Sequence, residues 1–416
     1  MLQGLKYGMF YFGLIPAILY LALGGNTSTI DSGGNNAFYG TTHYEFFVIY
    51  VIASLAFIHF LLCLITKANP KLISVNADSI IEQLLFIRQK SLTFKFMSLA
   101  LFVYSIANYF YIDHSVHWLS RHELEILPKS LKFYINPIFS FFIFISMVNI
   151  AANVASPAIK NINRKGKILK YSWLLLDIVI VALLMYNSGN RWYIAAIFSL
   201  IFYLSTFKIK AIICMSFPGL VILGSFISVY ILSLRVGQDF YIMLESMLYN
   251  QDITSLLGKS VMLITEGVNL LATFLVAKLS LYSFNPEYMF EKILYMPLPS
   301  SLVDKPLPFN ILVSSLVYGE VTSHSVNSLL FASFIYSFGI LSILFFIIFI
   351  GLMFVVDKKH HNLDMVPKCI FFLMAFSSVR FNFDYLLPHF VYFLLLIRYY
   401  KKYFIACKFY TRGIMP

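Results

Sequence analysis

The chain is short of charge. Only 12% of its 416 residues are Asp, Glu, Lys or Arg, against 60% hydrophobic. Soluble domains carry about twice that charged fraction. The solvent is therefore lipid, where backbone polar groups must be satisfied within helices or a closed barrel. The apolar runs are continuous and do not alternate, which selects helices. Cysteine is scarce as well. Cys63, Cys214, Cys369 and Cys407 all fall outside the predicted outer loops, which excludes a disulfide framework there. No internal repeat and no soluble domain is visible. Phe and Tyr are abundant, and interfacial aromatic belts together with a biased composition account for them.

Runs near 20 apolar residues, with a lower limit of about 17, mark candidate spans. They fall at 7–23, 46–66, 96–112, 133–155, 171–186, 192–207, 211–233, 329–356, 369–379 and 386–397. The fold class expected is all-α, a polytopic membrane protein of about ten spans. The whole chain, 1–416, forms a single membrane domain. Ala22-Leu23-Gly24 imitates a signal-peptide cleavage site, but the first run is long for a signal sequence. The ninth run is short, so its helix is expected to extend towards Asp384.

Counting alternate loops from a cytoplasmic amino terminus puts about two thirds of the 31 Lys and Arg inside. This positive-inside bias explains the net charge of +12, so a nucleic-acid partner is not required. It places both termini in the cytoplasm and the long segment 234–328 outside. Residues 261–283 are apolar enough for a further span, but Glu266 and Lys278 would be costly there. A span would also move Lys358, Lys359, Arg398, Lys401 and Lys402 outside. Glu266, Asn269 and Thr273 share a helical stripe, so 261–283 is expected to be an amphipathic helix at the interface or a lid.

Arg191 sits in the turn Asn187-Ser188-Gly189-Asn190-Arg191 between two short spans. It reads either as an interfacial anchor beside Trp192 and Tyr193 or as part of an anion site. For the second, a helix amino terminus offers free N–H groups and Arg a forked donor for a diphosphate. Ser188-Gly189-Asn190-Arg191-Trp192-Tyr193-Ile194 resembles the small-Gly-x-Arg turn of the Wzy oligosaccharide-repeat-unit polymerases, of the O-antigen polymerase and ligase superfamily. Pro299-Ser300 with Lys305-Pro306 is similar to that family's Pro-Arg…Lys-Pro segment, with Ser300 where the family has Arg. Tyr336-Ser337-Phe338-Gly339 resembles its aromatic-Gly opening of the next span, and Arg380 to Asp384 its late Arg…Asp feature. A Glu often found before that opening is absent, and Phe381 stands where the family has Gly.

The resemblance implies a fold similar to the GT-C-like polymerases and ligases and a bacterial inner-membrane location. It implies an enzyme that joins polyprenyl-diphosphate-linked repeat units on the outer leaflet and releases polyprenyl diphosphate. It implies that lipid-linked glycan as the substrate partner, besides membrane lipid, and leaves room for a chain-length regulator. Departure of a diphosphate needs cations. Arg191, Arg235, Lys305 and Arg380 are the candidates. His324 and Asp384 are the favoured bases for the acceptor hydroxyl, ahead of Glu320 and Glu245. No cofactor or metal is expected. A flippase for the same lipid, or a ligase that differs in its acceptor, is the alternative. A flippase would show repeats, broken helices and charged groups at depth. At sequence level only Asp177 lies deep in a span, to be balanced by a basic group, a proton, or Tyr and Asn partners. His114 and His117 could ligate zinc, though a wet loop of titrating histidines explains them equally. His59 and His389 are expected to be packed or interfacial.

Overall fold

The computed structural model describes residues 1–22, 44–69, 76–111, 129–156, 164–188, 192–206, 268–295, 307–318, 328–359 and 364–411, with short pieces between 209 and 304. Every regular element among them is a helix. Six are long and apolar enough to cross a membrane: Leu2–Ala22, Glu45–Ala68, Leu92–Phe110, Ile138–Ala155, Gly166–Met185 and Leu330–Lys359. The protein is an all-helical, multi-pass membrane protein. These six coincide with the first five expected spans and the eighth. The sixth expected span is a helix of 13 residues, and the seventh lies outside the described residues.

In chain order the helices are α1 (Leu2–Ala22), α2 (Tyr44–Ala68), α3 (Ala77–Lys90), α4 (Leu92–Tyr111), α5 (Lys129–Ala155), α6 (Arg164–Ser188) and α7 (Trp192–Leu204). Then come α8 (Val268–Ser280), α9 (Pro286–Tyr295), α10 (Phe309–Tyr318), α11 (Leu330–Phe338), α12 (Ser342–Lys359) and α13 (Met365–Thr411). α13 corrects one expectation. The ninth and tenth spans are one continuous helix of 47 residues, about 70 Å long at 1.5 Å per residue. Between the two runs, Arg-Phe-Asn-Phe-Asp-Tyr-Leu holds neither Gly nor Pro. Polar residues do not end a helix on their own. Pro388, the one breaker nearby, bends or weakens a helix locally and the chain stays helical through it.

The chain divides into two compact units. One is 1–73, 217–361 and 374–388; the other is 74–216, 362–373 and 389–416. In the first unit α2 shows how such a helix packs. Val48, Val51, Leu55, Ile58 and Leu62 are buried, while Ile49, Phe57, Phe60 and Leu64 are exposed. Both stripes are apolar, so one packs on protein and the other suits lipid. Two helices of this unit depart from regular geometry. α1 contains a π-helical turn, Met9–Leu14. Between α11 and α12 the helix breaks at Gly339, whose φ is +53°. A Cβ there would overlap the carbonyl oxygens of Leu281 and Ser283, so only glycine lets these backbones approach so closely. The Asn285 N–H donates to the Ser337 carbonyl at 2.8 Å, and the Tyr50 hydroxyl donates to that of Ile340 at 3.1 Å.

The helix expected over 261–283 exists from Val268 to Ser280, but it has no wet face. Leu270 through Ala277 are all buried. Of the stripe read as amphipathic, Asn269 and Thr273 are buried in protein. Buried Thr273 donates to the Asn269 carbonyl at 2.7 Å and accepts the Leu329 N–H at 3.1 Å. Its hydroxyl satisfies one of the amide groups that a helix start leaves without an intrahelical partner.

In the second unit α3 is a capped helix. The Asn76 side chain accepts the Asp78 N–H at 2.9 Å. Ser91 is extended, and its Oγ accepts the Phe94 N–H at 3.3 Å, so one residue ends α3 and opens α4. Ile80, Ile81, Leu84, Ile87 and Arg88 form the buried face.

Candidate functional site

A buried polar cluster is built on Asp177. It sits near the midpoint of the span Gly166–Met185 and is fully buried. Arg88 comes from α3, and its Nη2 lies 2.8 Å from both carboxylate oxygens. Ser146 of α5 donates to Oδ1 at 2.8 Å, and Asn149 donates to Oδ2 at 2.6 Å. The guanidinium lies over the Trp173 ring, 4.7 Å from its centroid. Each carboxylate oxygen thus accepts two hydrogen bonds. Desolvating two charges is expensive, and only such a full set of partners offsets it. Of the possibilities left open for Asp177, the basic partner is the one found, with Asn and Ser completing it. Asn153, one turn beyond Asn149, donates to the Asn149 side-chain oxygen at 3.0 Å and extends the polar line along α5.

Arg380 is also buried, 5% exposed. It belongs to α13, with its guanidinium carbon 4.4 Å from the Phe381 ring centroid. The preceding turn packs against α1. A Cβ at Gly8 would stand 2.8 Å from Val379 Cγ2 and 2.9 Å from the Phe376 carbonyl oxygen. Phe12 meets Phe376 at 5.2 Å between ring centroids. Gly8 is six residues into α1, about 9 Å along it. Arg380 therefore adjoins the part of α1 that carries Lys6. Asp384 follows four residues later in the same helix, and its side chain lies outside the described residues.

Arg191, Arg235, Lys305 and His324 also lie outside the described residues, as do His114 and His117. What is described is the frame of the Arg191 turn. α6 ends at Ser188 and α7 begins at Trp192, so Gly189-Asn190-Arg191 directly precedes a helix start. Trp192 is buried and meets the Phe144 ring at 6.1 Å. The Tyr336-Ser337-Phe338-Gly339 motif has a structural account. Gly339 makes the break, and Phe338 stacks on Phe345 with centroids 3.9 Å apart. Tyr336 packs against Tyr288 at 5.1 Å and Phe309 at 5.9 Å. Lys292, buried in α9, holds its ammonium 5.2 Å from the Tyr288 ring centroid. His389 lies 3.2 Å from the Ser140 hydroxyl, and His59 packs against the Phe10 ring at 5.5 Å.

Sequence reasoning missed Arg88, Ser146 and Asn149. Two signals pointed to them. Ser146, Asn149 and Asn153 recur at helical spacing on an otherwise apolar span, and Arg88 shares the face of Ile80, Ile81, Leu84 and Ile87. No family model, curated protein or solved structure matches the chain.

Proposed function

We propose that this protein is a membrane glycosyltransferase. It joins polyprenyl-diphosphate-linked oligosaccharide units into a longer polysaccharide and releases polyprenyl diphosphate. One observation carries the reading: α7 starts at Trp192, immediately after Gly189-Asn190-Arg191. A helix start presents free N–H groups and the positive end of its dipole. An arginine set just before it adds a bidentate phosphate donor. That combination suits a leaving diphosphate, and the resemblance of this turn to the Wzy polymerases names the chemistry. Arg235 and Lys305 are further outer cations under this reading. His324 and Asp384 remain the candidate bases. The multi-pass helical architecture supports a substrate that stays in the bilayer.

A second reading has its own support. Broken membrane helices and charges held at depth are features of transporters. The Gly339 break, the buried Arg88–Asp177 pair and Arg380 all fit a flippase for the same lipid-linked glycan. Gel analysis of surface polysaccharide separates the two. For the polymerase, Arg191→Ala leaves single repeat units on their anchor and removes the ladder of longer chains, with the protein still in the membrane. Loss of all surface glycan, with lipid-linked units held inside, selects the flippase. An unchanged ladder sinks the diphosphate role of Arg191.

A further inference from the structure

We propose that Gly8, with the π-helical turn that follows it, is the positioning element that seats Arg380 as an anion-binding cation inside the membrane domain. The anion is a diphosphate ester, so this rests on the lipid-linked-diphosphate substrate that both readings above share. Three observations meet at one turn of α13. Arg380 is a buried charge in a helical stretch where Phe371 through Val379 are all buried. Such a charge is costly in lipid and is kept where it has a task. The residue before it, Val379, touches the site where a Cβ on Gly8 would stand, and the Phe376 carbonyl lies against the same point. Two backbones come this close only where one lacks a side chain. Finally, α1 leaves regular geometry right after Gly8, over Met9–Leu14. That turn carries Tyr11 and Phe12, whose rings pack on Phe376 at 6.3 and 5.2 Å. π-helical turns concentrate at functional sites because they re-aim side chains at some cost in backbone geometry.

The seat makes a sharp demand on residue 8 and a weak one on residue 13. A Cβ on Gly13 would meet Leu55 and Leu329 at 3.6 to 3.9 Å, which is ordinary contact. Gly8 does not touch the anion. It fixes the depth and rotation of the helix that does.

The test compares Gly8→Ala, Gly13→Ala and Arg380→Ala in otherwise full-length protein in its own membrane. The surface-glycan ladder is read together with the amount of membrane-inserted protein. Arg380→Ala should abolish long chains. Gly8→Ala should lower them by about tenfold to a hundredfold, the scale of a misplacement near 1 Å. Gly13→Ala should leave the ladder unchanged. Adding Val379→Ala to Gly8→Ala removes the 2.8 Å overlap and should restore part of the loss. If Gly8→Ala is not recovered in the membrane, Val379→Leu carries the test by pressing on Gly8 from the other helix. A normal ladder in Gly8→Ala beside a blank one in Arg380→Ala overturns the seat and leaves the function standing. A normal ladder in Arg380→Ala overturns the anion role. If deletion of the whole gene leaves the glycan intact, the shared substrate reading fails first.

Discussion

Arg88 and Arg380, both buried, are held in different ways. Arg88 is fixed by chemistry: a carboxylate, with a hydroxyl and an amide bonded to that carboxylate, all donated by regular helices. The turn that carries Arg380 is fixed by shape: a missing side chain at Gly8 and a helix that widens directly after it. The same contrast runs through the units they belong to. In the second unit the central feature is an ion pair on uninterrupted α3, α5 and α6. In the first, backbone meets backbone at Gly8 and Gly339, and the helices bend to allow it. A charge held by an opposite charge can be replaced together with its partner. A shape cannot, because nothing smaller than glycine exists.

The first way to break the contrast is at Gly339. An Ala there faces a positive φ, worth about 1–3 kcal/mol of strain, and overlap with two carbonyl oxygens that belong to a neighbouring segment. We expect a loss above about 4 kcal/mol, seen as failure to accumulate folded protein. Size exclusion in mild detergent is the measurement. A monodisperse Gly339→Ala peak at wild-type yield would show that this unit tolerates side-chain volume and that shape is not what holds it.

The ion pair should behave in the opposite sense. Asp177→Leu or Arg88→Met alone leaves one charge buried without its partner, which costs about 3–5 kcal/mol. Arg88→Met with Asp177→Leu removes both charges and should recover most of that loss. Thermal unfolding of all four proteins gives the coupling energy as a double-mutant cycle. Additive losses would mean that the pair is not the centre of this unit. Because Ser146 and Asn149 also bond the carboxylate, the recovery should stop short of wild type.

Much of the architecture was legible in the sequence. Length and apolarity of a run report burial in lipid directly, so the first five spans and the eighth coincide with helices. The failures share a cause. Polarity in the sequence reads as a mark of water. Arg88, Asn269 and Thr273 are polar yet buried, because each finds a partner within hydrogen-bonding or stacking reach. The extension expected towards Asp384 runs on through the tenth span, because no residue from Arg380 to Asp384 breaks a helix. Partner identity is a tertiary fact. Nothing near Asp177 in the chain announces Arg88, which lies 89 residues away. The glycine contacts were equally hidden, since Gly8 and Gly13 look alike as letters and differ only in what faces them. Of the candidate site, Arg380 and the frame of the Arg191 turn could be placed. Arg191, Arg235, Lys305 and His324 fall outside the described residues.

A smaller effect sharpens the comparison from the rim of α3. Glu82 lies on that helix outside the spans. Partial burial raises its carboxyl above the ordinary value, and the Asp78 carboxylate one turn earlier adds to the rise. The sign follows from proton counting. With the folded-state value raised, the folded protein binds the proton more tightly than the unfolded chain does. Stability therefore falls as pH climbs through the carboxylate range, and the loss is complete above the folded-state value. Glu82→Gln removes the charge, so it should flatten that slope and leave the variant slightly more stable than wild type at neutral pH. The gain is modest because the side chain keeps contact with water. Melting temperature followed against pH checks it. A slope of the same steepness in the variant would assign the pH response to other carboxylates.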